Sequence, residues 1–312
     1  HQQNNQIGAL LQLRKGVAKL TPYLPARIQS VVSAIKGCDS IVHLAAIVGD
    51  PACDQDRQTA LEVNYAATRM LIEIAKGNGV SRFIFASSCS VYGATDLLMD
   101  EKSVVTPISL YAQTKVDSER VLLEAKTPTF HPTILRLATV FGYSHRPRFD
   151  LVVNLLSARA ARDGKITIFN GDQWRPFIHV RDVARGIAQV LDAPINVVSG
   201  SVYNLGDSNM NRTLTQVAHA IKTFYPATTV EYKENTDRRN YRVDFTKIKN
   251  EVGFECKISL EQGITELKQA LEAGTIADYT NPLYHNDQFL KTPGMSQATN
   301  EIDTRLMAAF VQ

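Results

Sequence analysis

Three hydroxyls and a tyrosine–lysine pair are the residues of this chain whose types and spacing best suit chemistry. The stretch Phe83-Ile-Phe-Ala-Ser-Ser-Cys-Ser-Val-Tyr-Gly93 opens as an apolar run and delivers Ser87, Ser88 and Ser90 at its end. Such a run reads as a buried parallel strand, and ligands of open α/β sheets bind in the crevice at the carboxyl ends of such strands. Tyr111 and Lys115 stand four apart, so a helix puts them on one face, where an ammonium beside a phenol favours the phenolate. The pair is a candidate acid and base. An unperturbed tyrosine, with a pKa of about 10, is a poor base at neutral pH, and a nearby cation is what would bring it into range. Tyr-x-x-x-Lys alone recurs in helices that do no chemistry; the serine-rich strand end upstream gives it meaning.

The elements that must position these groups follow from the rest of the chain. With 312 residues, 44% hydrophobic and 21% charged, it can bury a sizeable core and has the composition of an ordinary globular enzyme of one or two domains. A formal charge of +3 argues for neither a nucleic acid nor an acidic membrane surface, while permitting an anionic ligand. Cys38, Cys53, Cys89 and Cys256 have no metal-like spacing and fit reduced thiols of a cytoplasmic protein. No run approaches the ~20 apolar residues of a membrane span.

Residues 28–35 have helical spacing, and 38–46 form an apolar run ending in small residues, a buried strand. Gly49-Asp50-Pro51 is a turn signal, and residues 62–77 carry apolar side chains at helical spacing ended by Gly77-Asn-Gly79. The Tyr111 helix runs to about residue 125, and residues 133–142 read as a strand. A basic turn at 144–150 leads to a helix over 151–161 and a strand over 165–169. Further on, a helix spans 182–192 and a strand 202–206; Thr213-Leu-Thr-Gln216 and Ser259-Leu-Glu-Gln262 are capping boxes, with a strand over 229–232 between them. Residues 301–310 suit a short helix.

In order, these motifs resemble the nucleotide-sugar epimerase/dehydratase branch of the extended short-chain dehydrogenase/reductase superfamily over about residues 24–275. The carriers are the serine-rich strand end, Tyr111 and Lys115, Arg136-Leu-Ala-Thr-Val-Phe-Gly142, and Arg175-Pro-Phe-Ile-His-Val-Arg-Asp182. The resemblance implies a doubly wound parallel Rossmann-like sheet with a smaller α+β C-terminal substrate domain. Residues 1–143 and 176–206 would bind the dinucleotide, 144–175 and 207–285 the sugar nucleotide, and 286–312 would form a tail. It implies NAD rather than NADP as cofactor, a nucleotide-diphosphate sugar as substrate, and a homodimer paired through the Tyr111 helix and its neighbour. Ser88, Tyr111 and Lys115 would be catalytic, Tyr111 as phenolate, with Lys115 holding the nicotinamide ribose and depressing the tyrosine pKa. Ala45, Ala46, Asn64 and Ser87 would join Tyr111 and Lys115 around the cofactor. Asn64 would fix backbone near the site, although a bare helix N-terminal Asn explains it equally. Ser90, Thr139, Asn154, Arg175 and Arg239 would contact substrate, the two arginines at the diphosphate. Arg238 and Arg242 are equally admissible on spacing as the second.

Three departures bear on function. Thr139 stands where the family usually has Asn, and a hydroxyl does not reproduce an amide's paired donor and acceptor. Ser88-Cys89-Ser90 stands where 4,6-dehydratases carry Asp and Glu after the catalytic Thr; dehydration needs a positioned acid, so epimerase or 4-ketoreductase is favoured. Cys89 is expected to pack rather than react. Finally, no Gly-rich turn for a pyrophosphate occurs anywhere, nor the acidic residue for the adenosine ribose. The sheet is therefore expected to lack its first βαβ portion, leaving the strand near 40–45 with an unpaired apolar edge. That leads to the expectation that about 40 residues, roughly one such unit, precede His1 in the natural protein, or that the chain is a truncated, cofactor-free remnant acting as a binding partner.

Overall fold

The computed structural model describes residues 9–13, 16–20 and 28–291; the helix expected over 301–310 lies outside them. Strands β1 (Ala9–Leu13) and β2 (Gly16–Leu20) precede helix α1 (Ile28–Ile35) and β3 (Ser40–His43). Helices α2 (Asp50–Gln55) and α3 (Arg57–Leu61), a π-helical turn at Glu62–Ala66, and α4 (Ala67–Gly77) cross to β4 (Arg82–Ser88). Next come β5 (Ala94–Met99), α5 (Leu110–Glu124), β6 (His131–Leu137), β7 (Thr139–Phe141) and α6 (Val152–Asp163). They are followed by β8 (Lys165–Phe169), β9 (Trp174–His179), α7 (Val180–Asp192), α8 (Ile195–Val198) and β10 (Ser201–Leu205). The remainder holds β11 (Asn211–Thr213), α9 (Leu214–Phe224), β12 (Thr229–Lys233), β13 (Asn240–Val243), α10 (Thr246–Val252), α11 (Leu260–Glu272) and α12 (Asn286–Phe289).

The main sheet has the order β10-β6-β4-β3-β1-β2, with β10, β6, β4 and β3 parallel. Its strands are apolar on both faces because both are covered. Ile41, Phe83, Phe85 and Ile134 pack under α1, α4 and α5, while Val42, Ile84 and Leu135 pack under α7 and α10. The expected free edge of β3 is not found: β1 pairs with it antiparallel at Leu10 and Val42, and β2 extends the hairpin. Among the described residues, no strand, Gly-rich turn and helix occupies the place of a first βαβ unit.

A second core lies among α6, α9, α11, β8 and β9. Both capping boxes form as expected, at Thr213 with Gln216 and Ser259 with Gln262. The core does not divide at residue 206. Strand β13 pairs with β5, and Tyr241, Val243, Phe245, Ile248 and Phe254 belong to the core of the main sheet. The strand expected over 133–142 is two: β6 stays in the main sheet, and β7 crosses to pair with β9. At the crossing Gly142 takes φ 105°, with Asn154 gripping its N–H at 2.9 Å and its carbonyl at 3.3 Å, and its missing side chain leaves room for the His179 ring.

One buried charge pair ties α5 to the sheet. Arg136 on β6 donates through Nη2 to Glu119 on α5 at 2.7 Å and through Nε at 3.1 Å; both side chains are almost fully buried. Ser87 on β4 also donates to Glu119, and Arg136 Nη1 reaches the Tyr92 hydroxyl at 3.0 Å. Removing one partner leaves an uncompensated buried charge, which costs about 3–5 kcal/mol. Arg136→Leu should therefore lose stability of that order in urea unfolding followed by circular dichroism. The double change Arg136→Leu with Glu119→Leu should recover much of it; equal losses for both would show that packing, not charge, dominates here.

Candidate active site

A cavity of about 650 Å³ opens where β4 and β6 end. Strand β4 brings Ser87 and Ser88, and the single 3₁₀ turn after it, capped by Ser88, brings Ser90. Helix α5, capped by Ser109, presents Tyr111 at its second residue and Lys115 one turn on. The chain after β6 adds Thr139, and Arg175 and Arg239 stand at the far end. The structure thus gathers Ser87, Ser88, Ser90, Tyr111, Lys115, Thr139, Arg175 and Arg239 in one wall. Ala45, Ala46, Asn64 and Asn154 are not part of it. Leu44 and Val48 line the wall from the loop after β3 instead, and Asn154 is occupied with Gly142.

Asn64 does fix backbone near the site, and it does so from a π-helical turn rather than a helix N-terminus. Its amide accepts from Ile47 N–H at 2.7 Å and donates to Ile47 O at 2.9 Å. The widened turn leaves the Asn64 carbonyl to the Thr68 and Ser118 hydroxyls, at 2.8 and 3.1 Å. One buried side chain therefore holds the loop from β3 to α2. Cys89 packs as expected, its thiol donating to Arg136 O at 3.3 Å.

The expected action of Lys115 on Tyr111 differs in the structure. Lys115 Nζ donates to Ala86 O at 2.7 Å and sits 4.7 Å from the Phe85 ring centre, but 5.7 Å from that of Tyr111. Burial lowers its own pKa to about 8, against the pull of Cys53 and Glu119. Burial also pushes the Tyr111 phenol well above its usual range; the charge that most opposes this is Arg148, and a hydrogen bond from Ser88 helps. Helical spacing puts the two side chains on one face, and the Ala86 carbonyl then draws the ammonium inward.

At the other end the two arginines differ. Arg175 has an 8% exposed side chain, and its fork is spent on Trp174 O, Arg239 O and Gln173 Oε1. Arg239 is 40% exposed and binds Asp237 through two bonds of 2.9 and 2.6 Å, with Asp50 3.2 Å from its remaining nitrogen. It is Arg239 that offers an accessible guanidinium, with Arg175 buttressing it from behind. Arg242 instead stacks on Trp174 and donates to Asp96 O, and Arg238 is not in the wall. Asp50, Asp237, Arg148 and Asp150 also line the cavity; the sequence signals for them were the Gly49-Asp50-Pro51 turn and the basic turn at 144–150, and neither gave these side chains a role.

The pattern of the NAD dependent epimerase/dehydratase family matches residues 19–206. The chain is 28% identical over 240 residues to the uncharacterised UDP-glucose epimerase YtcB of Bacillus subtilis, covering 75% of each chain. It is 26% identical to the UDP-glucuronate 4-epimerase of Thermodesulfobacterium geofontis, over 72% of this chain and 70% of that one. Among solved structures, MoeE5 in complex with UDP-glucuronic acid and NAD superposes with a TM-score of 0.71 at 26% identity, over 79% of this chain and 84% of that one.

The arginine end carries a pH dependence. Burial alone would raise the Asp237 pKa, but the Arg239 fork outweighs it and the carboxyl is held below its usual range. The stability it contributes is therefore present above the ordinary Asp pKa of about 4 and is lost as pH falls through the depressed value. A pair this exposed is worth about 0.2–1 kcal/mol. Asp237→Asn should melt slightly below the parent at pH 7, and the gap should close as pH falls below the carboxylate range; a gap independent of pH in thermal melts would contradict this.

Proposed function

The chain belongs to the NAD dependent epimerase/dehydratase family, and on that premise we propose that it is a nucleotide-sugar epimerase that oxidises its substrate transiently to a keto-sugar. The observation that carries this reading is the convergence of Ser88, Tyr111 and Lys115 in one cavity that runs on to Arg239. The epimerase relatives and the UDP-glucuronic acid and NAD bound to MoeE5 support it. The same reading takes the working form to be a cytoplasmic homodimer paired through α5 and its neighbour.

The wall near Tyr111 suits the nicotinamide end of NAD. The Ser90 hydroxyl is buried without a partner, and Lys115 spends one of its three ammonium protons on Ala86 O. For the adenine end, the described residues bring β1 and β2, not a Gly-rich turn, to the edge of β3, so the fit is to the nicotinamide-ribose half. NAD, when bound, supplies the acceptor for the hydrogen leaving the sugar carbon and later returns it. Tyr111 takes the proton of the sugar hydroxyl at Oη and gives it back on reduction, with Ser88 holding the same oxygen. Arg239 exchanges Asp50 for the diphosphate and holds it by charge-assisted bonds. Anchored there, the sugar is free to turn and present its other face. No carboxylate follows Ser88 to drive loss of water.

The test is incubation with nucleotide-diphosphate sugars and NAD in deuterated water. Inversion at one carbinol carbon is expected, with no deuterium at that carbon and no net reduced cofactor. Tyr111→Phe should lower kcat by about 10²–10⁴-fold and leave substrate binding in place. Stoichiometric consumption of reduced cofactor would indicate a 4-ketoreductase; a folded chain that shows no NAD binding by calorimetry would favour the non-catalytic remnant.

A further inference from the structure

Arg148 takes no part in that scheme, yet it lines the same cavity as Tyr111, Ser88, Gly49 and Asp50. It is carried by the loop over residues 143–151, between β7 and α6. Asp150 fixes its guanidinium through two parallel bonds, Nε to Oδ1 at 2.9 Å and Nη2 to Oδ2 at 2.6 Å, the geometry that best holds the plane of an arginine. Gly49, at φ 101°, lies directly beneath: a side chain there would begin 3.6 Å from Arg148 Nη2. The loop is fastened on both sides. Phe149 is fully buried between the Tyr279 and Tyr284 rings, and its N–H donates to Tyr284 O at 2.9 Å. Arg146 donates to Leu283 O and Asn286 Oδ1, and Asn286 in turn donates to Val48 O at 3.0 Å. The turn beside Tyr111 and the loop bearing Arg148 are thereby joined through residues 279–286.

Around the phenol, α2 brings Asp50 and Cys53, β4 brings Ser88, α5 itself brings Lys115, and the loop brings Arg148; α3, which carries Arg57, and the π-turn, which carries Glu62 and Tyr65, pack on α5. Asp50 and Cys53 oppose ionisation, Lys115 is turned to Ala86, and Arg148 is the charge that favours it most. An arginine remains charged at every working pH, whereas Lys115 begins to lose its proton near 8.

We propose that Arg148 is a positioning residue for the reaction: it acts through Tyr111, supplying the fixed cation that its phenolate needs, and Asp150 aims it. The use of that phenolate rests on the epimerase reading, but its ionisation is measured without turnover. The experiment places 3-fluorotyrosine at position 111 and follows its fluorine resonance against pH with NAD present. The variants are Arg148→Gln, Arg148→Lys and Asp150→Asn, each checked for fold by circular dichroism. Arg148→Gln should raise the midpoint by about one pH unit or more, the shift a close opposite charge produces, and Arg148→Lys should restore most of it. Should Arg148→Gln not fold, Asp150→Asn, which releases the aim and leaves the charge, must still move the midpoint from the parent's. Coincident midpoints of the parent and Arg148→Gln overturn the proposal. In turnover, the acid limb of the kcat profile of Arg148→Gln should rise with the midpoint; a higher KM with an unmoved limb would make Arg148 a substrate contact and overturn it too.

Discussion

The part of the cavity wall that holds Tyr111 and the serines hangs on the buried pair of Glu119 and Arg136. Glu119 stands one turn beyond Lys115 on α5, Arg136 lies near the carboxyl end of β6, and Ser87 of β4 binds the same carboxylate. The pair therefore joins β4, which carries the serines, α5, which carries the Tyr111–Lys115 face, and β6, which leads into Thr139. Two well-packed leucines could hold α5 as firmly, because desolvating two ions offsets most of their attraction. What an ion pair adds is register: a slide of α5 by one residue would break the bidentate contact and leave both charges stranded. The distance from Ser88 to Tyr111 is fixed by the same contact.

The opposite end is governed by a different need. A wall that holds guanidinium groups for an anionic ligand must not leave them unpaired and half-buried in its absence. Asp237 and Asp50 meet that need for Arg239, while backbone and amide oxygens, with Asp237 at 3.5 Å, meet it for Arg175. The two arrangements are unequal in consequence. Arg175 has too little exposure to exchange partners, whereas Arg239 can trade one carboxylate for an anionic ligand. Binding there is an exchange of like charges, so its net strength is less than two arginines facing a diphosphate would suggest.

Much of this was legible in the sequence where the signal is local. The capping boxes at Thr213 and Ser259, the apolar strands β3 and β4, and the Tyr111–Lys115 helix are all patterns within a few residues. Asn64 was legible in its role, but not its π-turn, because one extra residue in a helix leaves apolar spacing nearly unchanged. Ala45 and Ala46 are small as a cofactor contact would require, and smallness does not say which way a residue faces. The partners Asp50, Arg148 and Arg239 were not legible as a set, since nothing local links residues so far apart in the chain. The pairing of β3 with β1 escaped for another reason: a hairpin can fill a sheet edge without the glycines that mark a dinucleotide-binding turn.

The same distinction explains the Tyr111–Lys115 geometry. Spacing of four gives a shared helix face, which is a statement about Cβ positions. Where an ammonium four bonds farther out comes to rest depends on which acceptor lies within reach, and the Ala86 carbonyl at the end of β4 lies closer to hand than the phenol. Buried among Phe85 and the helix, the ammonium needs that carbonyl, because an unpaired buried charge costs more than a bent side chain. The tyrosine is then left in a site that resists its ionisation, and the opposing charge has to come from outside α5. Loop 143–151 is the element placed to bring it, being anchored through Asn286 to the turn at Val48 beside the phenol.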